Sequence, residues 1–171
     1  MPEATSAHGD QPVFLRFSAL ENKATITIDV PASKTTSPLI LNLAANTSRS
    51  LDMTKYLSLL ECKVANKAVN NGLRIRSTDF ISVYYEIANY WNTDIFTLKG
   101  KNALGKHFLT PFQSVYGIGT YNPDAYSSID IVATEDNTIV TISPTKNLTR
   151  TKLQTVSIKL NRGQTYSVTA E

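Results

Sequence analysis

Apolar and polar side chains alternate at a period of two through most of this chain, and that period belongs to strands with one buried face. Ile26, Ile28 and Val30 fall on one side while Thr25, Thr27 and Asp29 fall on the other. Leu39, Leu41 and Leu43 repeat the pattern. Leu73 and Ile75 alternate with Arg74 and Arg76, and Ile81, Val83, Tyr85 and Ile87 alternate with Ser82, Tyr84 and Glu86. Val156, Ile158 and Leu160 do so again near the end, followed by Tyr166 and Val168. Helical spacing is hard to find. With Phe14 to Phe17 and Asp94 to Leu98 added, the pattern predicts an all-β chain of roughly nine to ten strands, packed as a two-sheet antiparallel β-sandwich.

The connections carry their own signals. Glu135-Asp136-Asn137 separates two alternating runs by the length that closes a hairpin, and Asn161-Arg162-Gly163-Gln164 reads as a second hairpin loop with Gly163 available for positive φ. Between Leu51 and Val69 the Leu, Lys and Glu content suits a short helical turn as well as irregular chain. Tyr116 to Tyr126 contains Gly117, Gly119, Asn122 and Pro123 and reads as a long loop, the kind of segment through which rigid sheets usually bind.

At 171 residues the chain is sized for one domain, expected over 12–171 behind a flexible polar leader at 1–11. Seventeen basic against fourteen acidic residues leave +3, with no concentrated basic block, so nucleic acid is not an expected partner. No stretch approaches the ~20 apolar residues of a membrane span, so direct membrane insertion is not expected either. The start lacks the apolar core of a signal peptide and reads as a mature terminus. Cys62 stands alone and forms no internal disulfide. The sequons at Asn46 and Asn147 read as polar loops.

Catalytic chemistry finds little material. Gly100 to His107 nearly spells a phosphate-binding loop, but His107 stands where a hydroxyl for magnesium is needed, and no helix pattern follows to aim amides at a phosphate. His8 and His107 are the only histidines, there is no GxSxG elbow, and Cys62 reads as a small core thiol. Two histidines and one cysteine give no zinc set, and Asp124, Asp130, Glu135 and Asp136 lack calcium-loop spacing. No enzyme, metal or cofactor is expected, with a carbohydrate-active enzyme as the least favoured reading. The aromatic residues point toward binding. Tyr90 and Trp91 lie between Asn89 and Asn92, and Tyr116, Tyr121 and Tyr126 lie in the glycine-containing loop, where they can stack on sugars or anchor a protein.

Four blocks in order, GLRIRSTDFISVYYEIAN, NTDIFTLKGKNALGKHFLTPF, SSIDIVATEDNTIVTISP and IKLNRGQTYSV, resemble the IgGFc-binding protein N-terminal domain family of large surface proteins in Bacteroidota. Phe80 replaces the proline usual in the first block. The resemblance implies a β-rich extracellular or cell-surface module of a multidomain, adhesin-like protein, of a kind often exported by type IX secretion. It implies no catalytic motif, and the chain's end at Glu171 reads as a fragment of a longer protein. The expected partners are a glycan or an extracellular protein, together with neighbouring domains of the same chain. The alternative is a structural spacer, which expects these aromatics to be buried.

Overall fold

The computed structural model of this protein describes residues 9–110, 127–145, 147 and 155–170. Strands dominate: β1 (Val13–Ala19), β2 (Ala24–Asp29), β3 (Leu39–Leu43), β4 (Ser48–Asp52), β5 (Ala68–Val69), β6 (Arg74–Ser77), β7 (Ile81–Ile87) and β8 (Asp94–Thr97) precede β9 (Ser127–Val132), β10 (Thr138–Ile142), β11 (Val156–Leu160) and β12 (Thr165–Ala170). One turn of helix, α1 (Leu57–Leu60), follows a 3-10 turn at Thr54–Tyr56, in the stretch whose composition left a helical turn open. The all-β, antiparallel reading stands, with twelve strands among the described residues instead of nine or ten. The two added ones, β4 and β5, are polar or very short and carry no alternation to reveal them.

The ladders divide into four hydrogen-bonded sheets, consistent with an all-β sandwich. A four-stranded sheet in the order β4-β1-β7-β8 faces a three-stranded sheet in the order β3-β2-β6. Val13, Leu15, Phe17 and Ala19 of β1 point inward and meet Ile26 and Ile28 of β2, Leu41 and Leu43 of β3, and Val83 and Tyr85 of β7. Met53, Leu57 and Leu60 close one end of this core, which explains why the chain forms a helical turn there. The remaining strands make a smaller pair of sheets, β5-β12-β9 and β10-β11, around Ala133, Leu160, Tyr166 and Val168. The buried side chains among the described residues thus form two clusters.

The two anticipated hairpins are corrected by the strand pairing. β9 pairs with β12, and β10 pairs with β11, so the turns at 133–137 and 161–164 each carry the chain from one small sheet to the other. They lie side by side and satisfy each other. Ala133 N–H donates to Gln164 C=O (3.0 Å), Gly163 N–H to Ala133 C=O (2.9 Å), and Arg162 N–H to Asp136 Oδ1 (3.0 Å). A short polar turn between two alternating runs is compatible with either geometry, because alternation fixes which face is buried and not which strand is the neighbour.

The outward face of β2 and β6 shows how the polar half of the pattern is used. Arg74 donates to both oxygens of Asp29 (2.9 and 2.6 Å), and Arg76 adds a longer contact at 3.3 Å. The Arg74 hydrogen bonds, reinforced by the charges of Arg74 and Arg76, hold the Asp29 carboxyl below its ordinary value of 3.8. A carboxyl lowered in this way contributes stability that is full above 3.8 and is lost as pH falls through the lower folded value. Asp29→Asn is therefore expected to cost about 1 kcal/mol or less at neutral pH, since the arginines are solvent-accessible. The gap to the wild type should close in urea melts run well below pH 3.8; a gap that is constant with pH would rule the ion pair out as its source.

The two clusters meet along residues 61–72. Glu61, Asn71, Thr165 and Ser167 are the buried polar residues among those described, and all four lie here. Asn71 donates to Glu61 C=O and accepts from the Thr165 hydroxyl, while Cys62 Sγ–H lies 3.4 Å from Thr165 Oγ1. Lys63 Nζ sits 2.8 Å from Glu61 Oε2. Asn66 N–H donates to Ser167 C=O (2.8 Å), and Gly72 N–H to Gly163 C=O (3.0 Å). The lone thiol is thus part of this joint, as its small-core reading expects.

Candidate functional site

β7 and β8 form a hairpin whose tip, residues 88–93, is held by the chain just before β1. Ala88 N–H donates to Pro12 C=O (2.9 Å), and Asn89 Nδ2 to Gln11 C=O (2.7 Å). Asn92 Nδ2 reaches Asp10 Oδ1 (2.7 Å). Within the tip, Asn89 Oδ1 accepts from Trp91 N–H (2.9 Å), and Asn89 C=O accepts from the Thr93 hydroxyl. Asparagine readily makes such local side-chain turns. Gly9 adopts φ +73°, a left-handed conformation that glycine takes without strain, as the leading segment approaches Asn89.

The consequence is a fixed tip with its aromatic groups outside. Tyr90 and Trp91 are each 88% exposed, and their rings meet edge to face at a centroid distance of 5.0 Å. An ordered backbone that leaves two large rings in water retains apolar area that folding has not used. Behind the tip, Phe96 of β8 stacks on Tyr85 of β7 at 4.7 Å. Burial, with smaller contributions from Asp10, Glu61 and Asp94, pushes the Tyr85 phenol up to about 12, so it remains a neutral hydroxyl at physiological pH.

Of the five aromatic residues singled out from the sequence, Tyr90 and Trp91 therefore come together in one place. Tyr116, Tyr121 and Tyr126, with the loop that carries them, lie outside the described residues. Sequence reasoning placed Asn89 and Asn92 beside the rings but missed Asp10 and Gln11, which act from about 80 positions away. It also missed Phe80, 84% exposed at the opposite end of β7. The loop that resembles a phosphate cradle forms a 3-10 turn at Gly100–Ala103, with Gly100 at φ +56° and His107 exposed. No group of three or more His, Cys, Asp or Glu side chains gathers among the described residues. Asn46 occupies an exposed turn at φ +56°, as a polar-loop reading of its sequon expects.

The family model described as IgGFc binding protein matches residues 94–171. The resemblance read from the sequence is borne out over that segment, which begins at the first residue of β8 and contains β9 to β12. The Tyr90–Trp91 tip lies just before it. No curated protein matches the chain, and no solved structure matches it.

Proposed function

We propose that this chain is a non-catalytic recognition module of a secreted or cell-surface bacterial protein, with the Tyr90–Trp91 tip as its contact for an extracellular glycan or protein. The observation that carries this reading is the pair of rings, each 88% exposed, on a loop fixed by hydrogen bonds to residues 10–12. A preformed aromatic tip binds without first having to be ordered, which removes much of the usual cost of association. Exposed rings also count against a spacer, for which such area serves no purpose. The matched family adds support for a binding role and for an extracellular setting, and its description makes the Fc region of immunoglobulin G one protein to test. No helix of the described residues is long and apolar enough to cross a membrane.

The test is a screen of the folded chain on glycan arrays, extracellular-matrix proteins and immunoglobulin Fc, with Trp91→Ala and Tyr90→Ala in parallel. Truncating an anchoring aromatic at the centre of an interface is expected to cost about 2 kcal/mol, or roughly 30-fold in affinity. Thermal stability should be unchanged, because neither ring is packed in the core. Binding that survives both substitutions would move the site elsewhere, and a folded wild type that binds nothing in the screen would favour the spacer.

A further inference from the structure

Among the described residues, the four-stranded sheet has two edges of different character. β4 presents Ser48, Arg49, Ser50 and Asp52, the charged and polar sequence that discourages another strand from pairing. β8 presents Asp94, Ile95, Phe96 and Thr97, all exposed, and is followed by Leu98. Nine of the sixteen exposed large hydrophobic side chains among the described residues fall between positions 84 and 109, three of them at Ile95, Phe96 and Leu98. Leu98 N–H donates to Val83 C=O (2.9 Å), and Phe96 stands opposite Tyr85. Backbone polar groups alternate sides along a strand, so those of Ile95 and Thr97 point away from β7.

We propose that β8 pairs antiparallel with β8 of a second copy of this chain, joining two four-stranded sheets into one of eight strands. Charge selects this occupant and this direction. β8 begins with Asp94 and is followed by Lys99 and Lys101, so an antiparallel copy sets the acidic end of each strand beside the basic end of the other. A parallel copy would oppose like charges, which is destabilising.

Symmetry then fixes the register. A two-fold axis normal to the sheet preserves its faces, so facing residues must come from the same side of the strand. Centred on the exposed strand, this sets Phe96 against Phe96, Ile95 against Thr97 and Asp94 against Leu98. The Phe96 pair is of the non-hydrogen-bonded type, with Cα atoms about 4.5 Å apart. It extends the Tyr85–Phe96 stack across the axis. Ile95 and Thr97 exchange four backbone hydrogen bonds between the copies. Ile95 N–H, held in the single chain by Asp94 Oδ1 (2.8 Å), passes to the carbonyl of Thr97.

Sedimentation of the full chain from about 10 µM to about 1 mM is expected to show a monomer–dimer equilibrium with Kd on the order of 0.1 mM, as a small interface implies. Thr97→Pro removes an N–H that faces the second copy and leaves the Leu98 bond to β7 intact. It should weaken dimerisation by at least about tenfold. Phe96→Lys and Phe96→Glu should each be monomeric and should pair when mixed, which reads the register and decides the matter if the proline variant does not fold. A wild type that stays monomeric throughout, a proline variant that dimerises as tightly as the wild type, or lysine and glutamate variants that do not pair overturns the proposal.

Discussion

Phe17→Ala is expected to lower the unfolding free energy by about 4 kcal/mol, the range of phenylalanine truncation in a packed interior. Phe17 is wholly inaccessible to solvent and lies on β1, with β4 hydrogen-bonded on one side and β7 on the other. Arg49 and Val83 are its cross-strand partners, and the opposite layer presents Ile26, Leu41 and Leu43. A strand locked on both edges cannot slide inward to fill a vacated ring, so most of the cavity persists and the cost stays near the upper part of the range. For a chain of this length the melting temperature should fall by roughly 8–16 °C. Among the described residues the smaller cluster has only Ala133, Leu160, Tyr166 and Val168 buried, too little apolar area to hold its strands alone. Phe17→Ala should therefore shift a single cooperative transition. A variant that keeps one part of the melt at the wild-type temperature would show that the second cluster stands independently, and a loss under about 1 kcal/mol would show that β1 can repack.

Much of this arrangement was legible in the chain because burial on one face imposes a period of two. β2, β6 and β7 appear where Val, Ile, Leu and aromatic residues alternate with Thr, Ser, Arg and Glu, and β1, β3 and β8 at apolar runs. The pairing was not legible. Glu135-Asp136-Asn137 suits a hairpin by length, yet it spans two sheets because its polar atoms are satisfied by the neighbouring turn at 161–164, a partner some 25 residues on. β4 and β5 escaped notice since an edge strand of Ser and Arg, or one of two residues, needs no apolar face. The aromatic tip was visible as Tyr90-Trp91 between asparagines, whereas its fastening to Asp10 and Gln11 depends on how β1 and β7 pair. The edge at β8 was hidden for a related reason: Ile95 and Phe96 look like ordinary strand residues until β8 is seen to be the last strand of its sheet among the described residues.

Gly72→Ala should be nearly as costly as the loss of Phe17, at about 3 kcal/mol, although it removes no contact. A Cβ at position 72 would stand 2.5 Å from the Gly163 carbonyl oxygen and 2.9 Å from Val132 Cγ2, distances that demand movement. The carbonyl cannot easily yield. Gly163 lies at φ +78° against the Pro31 ring and the Ala32 backbone, where even a methyl group would come within 2.9 Å of Ala32 N. Residue 72 must then retreat, breaking its N–H bond to Gly163 and drawing Asn71 away from Glu61 and Thr165. Each buried polar group left without its partner adds about 1–3 kcal/mol, so a small displacement at this joint is amplified. Because the damage lies between the two clusters, Gly72→Ala should also loosen their coupling, with amides of β9 and β12 exchanging with solvent sooner than those of β1 and β7. Hydrogen exchange measured strand by strand distinguishes this from uniform destabilisation. A variant within about 0.5 kcal/mol of the wild type, with unchanged exchange in β12, would mean that the two clusters are not held together at Gly72 and Gly163.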